Sequence, residues 1–290
     1  MKKSTLLHLR FPFSFFLLPV YLFAVASVGV VELFPTLLSF VVLHLCIYPA
    51  SNGFNSWFDQ DEQAIGGLKN PPKTHRQLYY YSLGLDGIGI LLGLLISIEF
   101  ALFMFVYGMV SKSYSHPSVR LKKRPIAGLL SVSVFQGYFI FLATIHAVGG
   151  IDMMGLLEWE WQFPALLSTV LLLGSYPMTQ IYQHEEDGER GDLTLSRLLG
   201  ITGTFIFTAL VFTLAMGGFV YHFFFTIGPN TVVVFVVLML PTLVFFLWWF
   251  VKVMKSQDSA NHKYTMRLNM ISSTCLNLFF LIYWTQNGLP

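Results

Sequence analysis

Long apolar runs separated by short polar stretches set the plan of this chain. Nine runs stand out, near residues 11-32, 34-51, 79-96, 98-112, 126-148, 162-182, 196-224, 230-252 and 265-287. A helix needs roughly 20 apolar residues to cross a bilayer core, so the pattern predicts an all-α membrane protein of nine transmembrane helices. Only Ser97 and Glu99 mark a turn between the third and fourth runs.

Two polar stretches interrupt this pattern at the ends of apolar runs. In Ser51-Asn-Gly-Phe-Asn-Ser-Trp-Phe-Asp-Gln-Asp-Glu62, the residues Asn52, Asn55, Asp59 and Glu62 fall at i, i+3, i+7 and i+10. That spacing places them on one face of a continuing helix. In the segment 176-187, Tyr176, Gln180, Gln183 and Asp187 repeat the arrangement at i, i+4, i+7 and i+11. Two stripes of carboxamides and carboxylates facing one cavity make a hard-oxygen site suited to Mg²⁺ and the phosphates it carries.

Composition sharpens the membrane reading. The chain has 290 residues, 55% hydrophobic and only 11% charged, against about a quarter charged in soluble domains. Nine spans leave no room for a sizeable soluble domain, so residues 1-290 form a single transmembrane domain. Leu17 to Leu33 shows no small-residue cleavage site and reads as the first span rather than a signal peptide. Cys46 and Cys275 lie inside expected spans and read as packing residues.

Charge then orients the bundle. With nine spans and a cytoplasmic N-terminus, all 17 Lys and Arg residues fall in the N-terminal tail and the loops 52-78, 112-125, 183-197 and 252-267. Glu32, Glu99, Asp152, Glu158 and Glu160 occupy the other side, as the positive-inside rule requires. Both polar stripes therefore face the cytoplasm, at the ends of spans two and six of a multi-pass cell-membrane protein. A basic linker, Ser111 to Arg124, lies on the same side. Gly66-Gly67 is a bare turn signal, and no glycine-rich nucleotide fingerprint, haem-attachment, zinc or nucleophile-elbow motif appears. No nucleic-acid partner is expected.

These features together resemble the UbiA superfamily of intramembrane prenyltransferases, over nearly the whole chain. The family has nine helices around a central lipid-open cavity and a first motif Asn-Asp-x-x-Asp-x-x-x-Asp. Asn55-Ser-Trp-Phe-Asp59-Gln-Asp-Glu-Gln63 matches it at Asn55 and Asp59 and departs at Ser56 and Gln63, with Asp61 and Glu62 nearby. The second motif, Asp-x-x-x-Asp, is matched at Asp187, with Gln183 in place of an acid. Tyr114-Ser-His-Pro-Ser-Val-Arg120-Leu-Lys122 is similar to the family's Tyr-Ser-x-Pro-x-x-Arg-x-Lys element, and Leu9-Arg-Phe-Pro-Phe13 to its Arg-x-Pro start.

The resemblance implies Mg²⁺-dependent transfer of an isoprenoid from a prenyl diphosphate to a hydrophobic acceptor. Quinone precursors, tetrapyrroles, haem and glycerolipid backbones are all acceptor classes that it allows. Asn55, Asp59, Asp61, Glu62, Gln183 and Asp187 are the expected metal set, with Asp59 and Asp187 central to catalysis. Lys69, Lys73, Tyr114, Arg120 and Lys122 are expected on the diphosphate. Tyr138, with Trp57, Phe58 and Tyr182, offers aromatic faces to an allylic cation. Asp86, inside span three, is open to two readings, a cavity base or a protonated group bonded to a neighbouring helix. The alternative for the whole chain is a lipid-binding or transport protein that retains the fold without the chemistry.

Overall fold

The computed structural model describes residues 2–287, in which every regular element is helical. Helix α1 (Lys3–Leu9) passes through a 3-10 stretch (Phe11–Phe16) into α2 (Leu18–Val28), with a bend of 45°. Then come α3 (Leu33–Asp59), α4 (Arg76–Gly93), α5 (Ile98–Ser115), α6 (Pro125–Gly149) and α7 (Trp159–Ser175). A short α8 (His184–Glu189) precedes the long α9 (Leu195–Thr226), α10 (Pro229–Lys255) and α11 (His262–Asn287).

Five of the described helices, α3, α6, α9, α10 and α11, are long and apolar enough to cross a membrane, and the bent α1–α2 pair makes a sixth. Helices α4, α5 and α7 occupy the places of the remaining expected spans. They have only 17 or 18 residues each, and Asp86, Glu99 and Lys112 dilute the first two. The division between α4 and α5 falls at the Ser97 turn signal. Ser97 Oγ accepts the Phe100 N–H at 2.9 Å, an N-cap that starts α5 afresh.

Two helices carry a π turn, α3 at Val42–Ile47 and α6 at Val134–Phe139. Within the second, Gly137 lets α6 lie directly on α7, since a Cβ there would stand 2.7 Å from the Thr169 nitrogen. An aromatic cluster closes one end of the bundle, with Phe23 stacked on Phe280 at 4.8 Å and Phe219 on Phe223 at 5.8 Å. The flanks of α9 and α10 stay apolar where exposed, as at Leu210, Leu214 and Val244. Such a surface suits hydrocarbon rather than water.

Candidate functional site

A cavity of about 630 Å³ runs down the middle of the bundle. Its mouth is charged and its depth is not. Among the described residues, the charged groups on its wall are Arg10, Asp59, Asp61, Lys122 and Asp187, all at the end where the polar stripes lie.

The last turns of α3 bring Asn52, Asn55 and Asp59 to the wall. Gly53 on the opposite face allows this by letting α3 press against α4, for a Cβ there would meet Ser82 Oγ at 2.4 Å. The helix does not continue to Glu62 as the stripe suggested. Gln60 takes a left-handed conformation (φ 49°) and its N–H closes on Ser56 O, a C-terminal stop. The turn sends Asp61 to the cavity and leaves Glu62 exposed off the wall, its N–H donating to Glu186 Oε1 at 2.8 Å.

The second stripe is likewise not one helix. Tyr176–Thr179 is a 3-10 turn and α8 begins only at His184, yet Tyr176, Gln180, Gln183 and Asp187 all reach the cavity. Burial pushes the Asp187 carboxyl up to about 7, against the opposing pull of Lys122.

The linker supplies the cations. Arg120 is left-handed (φ 43°) and opens a 3-10 turn, Leu121–Lys123. Lys122 Nζ lies 2.6 Å from Asp59 Oδ1, an ion pair off the line of a hydrogen bond. Arg120 Nε and Nη2 grip both oxygens of Asp192 at 2.8 Å, with Asp59 3.7 Å away. Asp192 is fully buried, and burial alone would raise its carboxyl. The Arg120 hydrogen bonds and the Lys122 charge, 3.5 Å away, hold it below the usual carboxylate range instead. Arg190 joins the two arms by donating to Asp61 at 2.5 Å and Glu186 at 2.6 Å. Tyr114 reaches the wall and bonds Tyr176 through its hydroxyl.

A family model of the UbiA prenyltransferase family matches residues 16–273. The chain belongs to this family. Solved structures of like fold include a UbiA homolog from Aeropyrum pernix K1, with a TM-score of 0.73 and 15% identity over 94% of this chain and 98% of that one. A UbiA homolog from Archaeoglobus fulgidus bound to DMAPP and Mg²⁺ has a TM-score of 0.69 at 14% identity, covering 98% and 99%. A digeranylgeranylglyceryl phosphate synthase has a TM-score of 0.62 at 18% identity, covering 98% of both chains. At such identities the likeness is one of fold. No curated protein sequence matches the chain.

The UbiA resemblance implies Mg²⁺, and the wall residues can be tested for it. Among the described residues no three His, Cys, Asp or Glu side chains gather into a metal cage. Mg²⁺ does not need one, since it keeps waters and takes one or two carboxylates plus substrate phosphates. Asp59, Asp61 and Asp187 with the amides of Asn55, Gln180 and Gln183 are hard-oxygen donors on one wall, and Gln180 Oε1 is buried without a protein partner. The residues present fit the ion.

Several expected residues stand elsewhere. Lys69 and Lys73 are exposed and off the cavity wall. Tyr138 also lies off the wall, its hydroxyl bonded to Gln162, and Trp57 and Phe58 pack on Tyr79. Asp86 pairs with Lys112 across α4 and α5, away from the cavity. Of the residues that sequence reasoning left without a role, Asp192 carried only its place in a charged loop. Arg10 was marked by the Arg-x-Pro element. It lines the mouth and donates to Gly66 O at 3.2 Å and Asn52 O at 3.3 Å. With His8 on Pro72 O (2.6 Å) and His262 on Ile65 O (3.0 Å), it ties the 60-75 loop across the opening.

Proposed function

We propose that this UbiA-family chain transfers an isoprenoid from a prenyl diphosphate to a nucleophilic acceptor within the membrane, with Mg²⁺ as cofactor. The observation that carries the reading is the asymmetry of the cavity, with three carboxylates and two cations at the mouth of an otherwise uncharged space. Mg²⁺ held by Asn55, Asp59, Asp61, Gln183 and Asp187 would neutralise the diphosphate and make it a better leaving group. Lys122 and Arg120 stand beside the same carboxylates and are placed to turn to phosphate oxygens. The allylic C–O bond breaks with its electron pair leaving on diphosphate, the acceptor's nucleophilic atom bonds to the allylic carbon, and the acceptor loses a proton. Tyr114, Tyr176 and Tyr182 line this region and offer ring faces to the cation. In this reading nine spans cross the cell membrane with the N-terminus and the mouth cytoplasmic.

The test is consumption of prenyl diphosphates, from geranyl to long polyprenyl, by the purified full chain with Mg²⁺ and a panel of acceptors, read by mass spectrometry. Prenylated product is expected; none with any pair overturns the enzymatic reading. One observation favours a second reading, a lipid-binding protein without chemistry: Asp59 and Asp61 are each already neutralised by a base, Lys122 and Arg190. Mg²⁺-dependent diphosphate binding without product would select it.

A further inference from the structure

Below the mouth the two sides of the cavity differ. While α11 adds a polar strip of its own at Asn269, Ser272 and Ser273, helices α7, α9 and α10 present Phe212, Phe219, Phe235 and Met239, with Ser175, Thr213 and Thr242 as the polar exceptions. That side suits an isoprenoid tail. Helices α3, α5 and α6 present Tyr48, Ser51, Tyr107, Ser111 and Gln136 instead. Ser51 and Ser111 bond each other at 2.5 Å, and Gln136 Nε2 donates weakly to the Tyr107 hydroxyl at 3.5 Å. The Tyr48 side chain is 1% exposed and its hydroxyl has no protein partner. An unpaired buried hydroxyl costs on the order of 1–3 kcal/mol, so a ligand that bonds it recovers a standing loss.

Both π turns of the bundle border this patch. Tyr48 directly follows the one in α3, and Gln136 lies inside the one in α6. Such turns rearrange the helical ladder and recur at functional sites. At 1.5 Å per residue, Ser51 lies about 12 Å and Tyr48 about 16 Å below Asp59 along the same helix. The patch therefore sits deeper in the cavity than the carboxylates of the mouth, on its uncharged stretch. The patch holds no charge, and the nearest charged pair behind it, Asp86 and Lys112, is self-neutralised.

We propose that Tyr48, Tyr107 and Gln136, with the Ser51–Ser111 pair, bind the acceptor, and that the acceptor is a neutral hydroxyl- or carbonyl-bearing compound rather than an aromatic carboxylate. The inference rests on the prenyl-transfer reading for the word acceptor, not for the site. An uncharged buried wall pairs hydroxyls and carbonyls but leaves a carboxylate desolvated and uncompensated.

Binding of 1,4-dihydroxynaphthalene and of 4-hydroxybenzoate to the full chain in detergent is measured by tryptophan fluorescence, with and without Mg²⁺ and a non-ionising geranyl thiolodiphosphate. The diol is expected to bind at least tenfold more tightly than the benzoate. Tyr48→Phe and Gln136→Leu should each weaken the diol about three- to tenfold, the range for one uncharged hydrogen bond, while thiolodiphosphate binding stays constant. Tighter binding of the benzoate overturns the proposal. So does a diol affinity that falls with Asn269→Leu on the α11 side of the cavity but not with Tyr48→Phe. Since diol binding is read without turnover, loss of thiolodiphosphate binding or of product counts against the prenyl-transfer reading alone.

Discussion

The two acidic arms of the mouth reach the cavity by different routes. Asn55 and Asp59 sit on the last turns of α3, which runs as one helix, π turn included, over 27 residues. Asp187 stands on the six-residue α8 between two loops, a helix too short to hold itself. Its loop is held by charge instead. Asp192 N–H donates to Asp187 O at 2.8 Å, Arg197 donates to the carbonyls of both, and the Asp192 carboxylate is clasped by Arg120. One arm is thus placed by helical packing and the other by a buried ionic knot, and the knot also aims the linker cations. The difference teaches that the second arm's geometry depends on residues that never touch the cavity.

Alanine at either acid should erase the comparison by disabling both arms alike. Asp59→Ala and Asp187→Ala are each expected to lower kcat/KM on the order of 10²–10³-fold, as for removal of a preorganised charge stabiliser, measured by product formation at saturating Mg²⁺. Unchanged turnover in both would remove this site. Asp192→Asn separates the arms. It leaves the half-buried Arg120 with only Asp59, 3.7 Å away, as counter-charge, with an expected loss of about 1–2 kcal/mol in stability and roughly a tenfold rise in KM for the prenyl diphosphate. An unchanged KM in thermally intact protein would show that the knot holds only the loop. Arg190→Ala cuts the bridge between the arms through partly exposed ion pairs, so about a threefold loss of kcat/KM is expected. Glu62→Ala touches neither arm and should stay within about twofold of wild type, and a larger loss would bring Glu62 back among the metal ligands.

The same contrast explains what could be read from the chain before its structure. Apolar runs and the Ser97 turn gave the helices their places, because hydrophobic length and capping are local properties. Asn55 and Asp59 were legible for the same reason, being one face of one helix. Glu62 was misplaced because the left-handed Gln60 carries no strong sequence signal; glutamine is not a usual left-handed residue. Asp192 and Arg120 meet across 72 positions, and no spacing rule reports a contact between two loops. The polar wall at Tyr48, Tyr107 and Gln136 also comes from three separate helices. Its members look singly like ordinary packing in a chain that is 17% aromatic.

The ties across the 60-75 loop have an evolutionary consequence. His8, Arg10 and His262 reach it through the carbonyls of Pro72, Gly66 and Ile65, and a backbone carbonyl is supplied by every residue type. Beyond Asp61 and Ile65, the path of this strap is therefore recorded more in its neighbours than in its own side chains. Away from Asp61, Ile65 and the two glycines its composition is free to diverge among relatives while its length is constrained, since an insertion between residues 66 and 72 would draw acceptors away from their fixed donors.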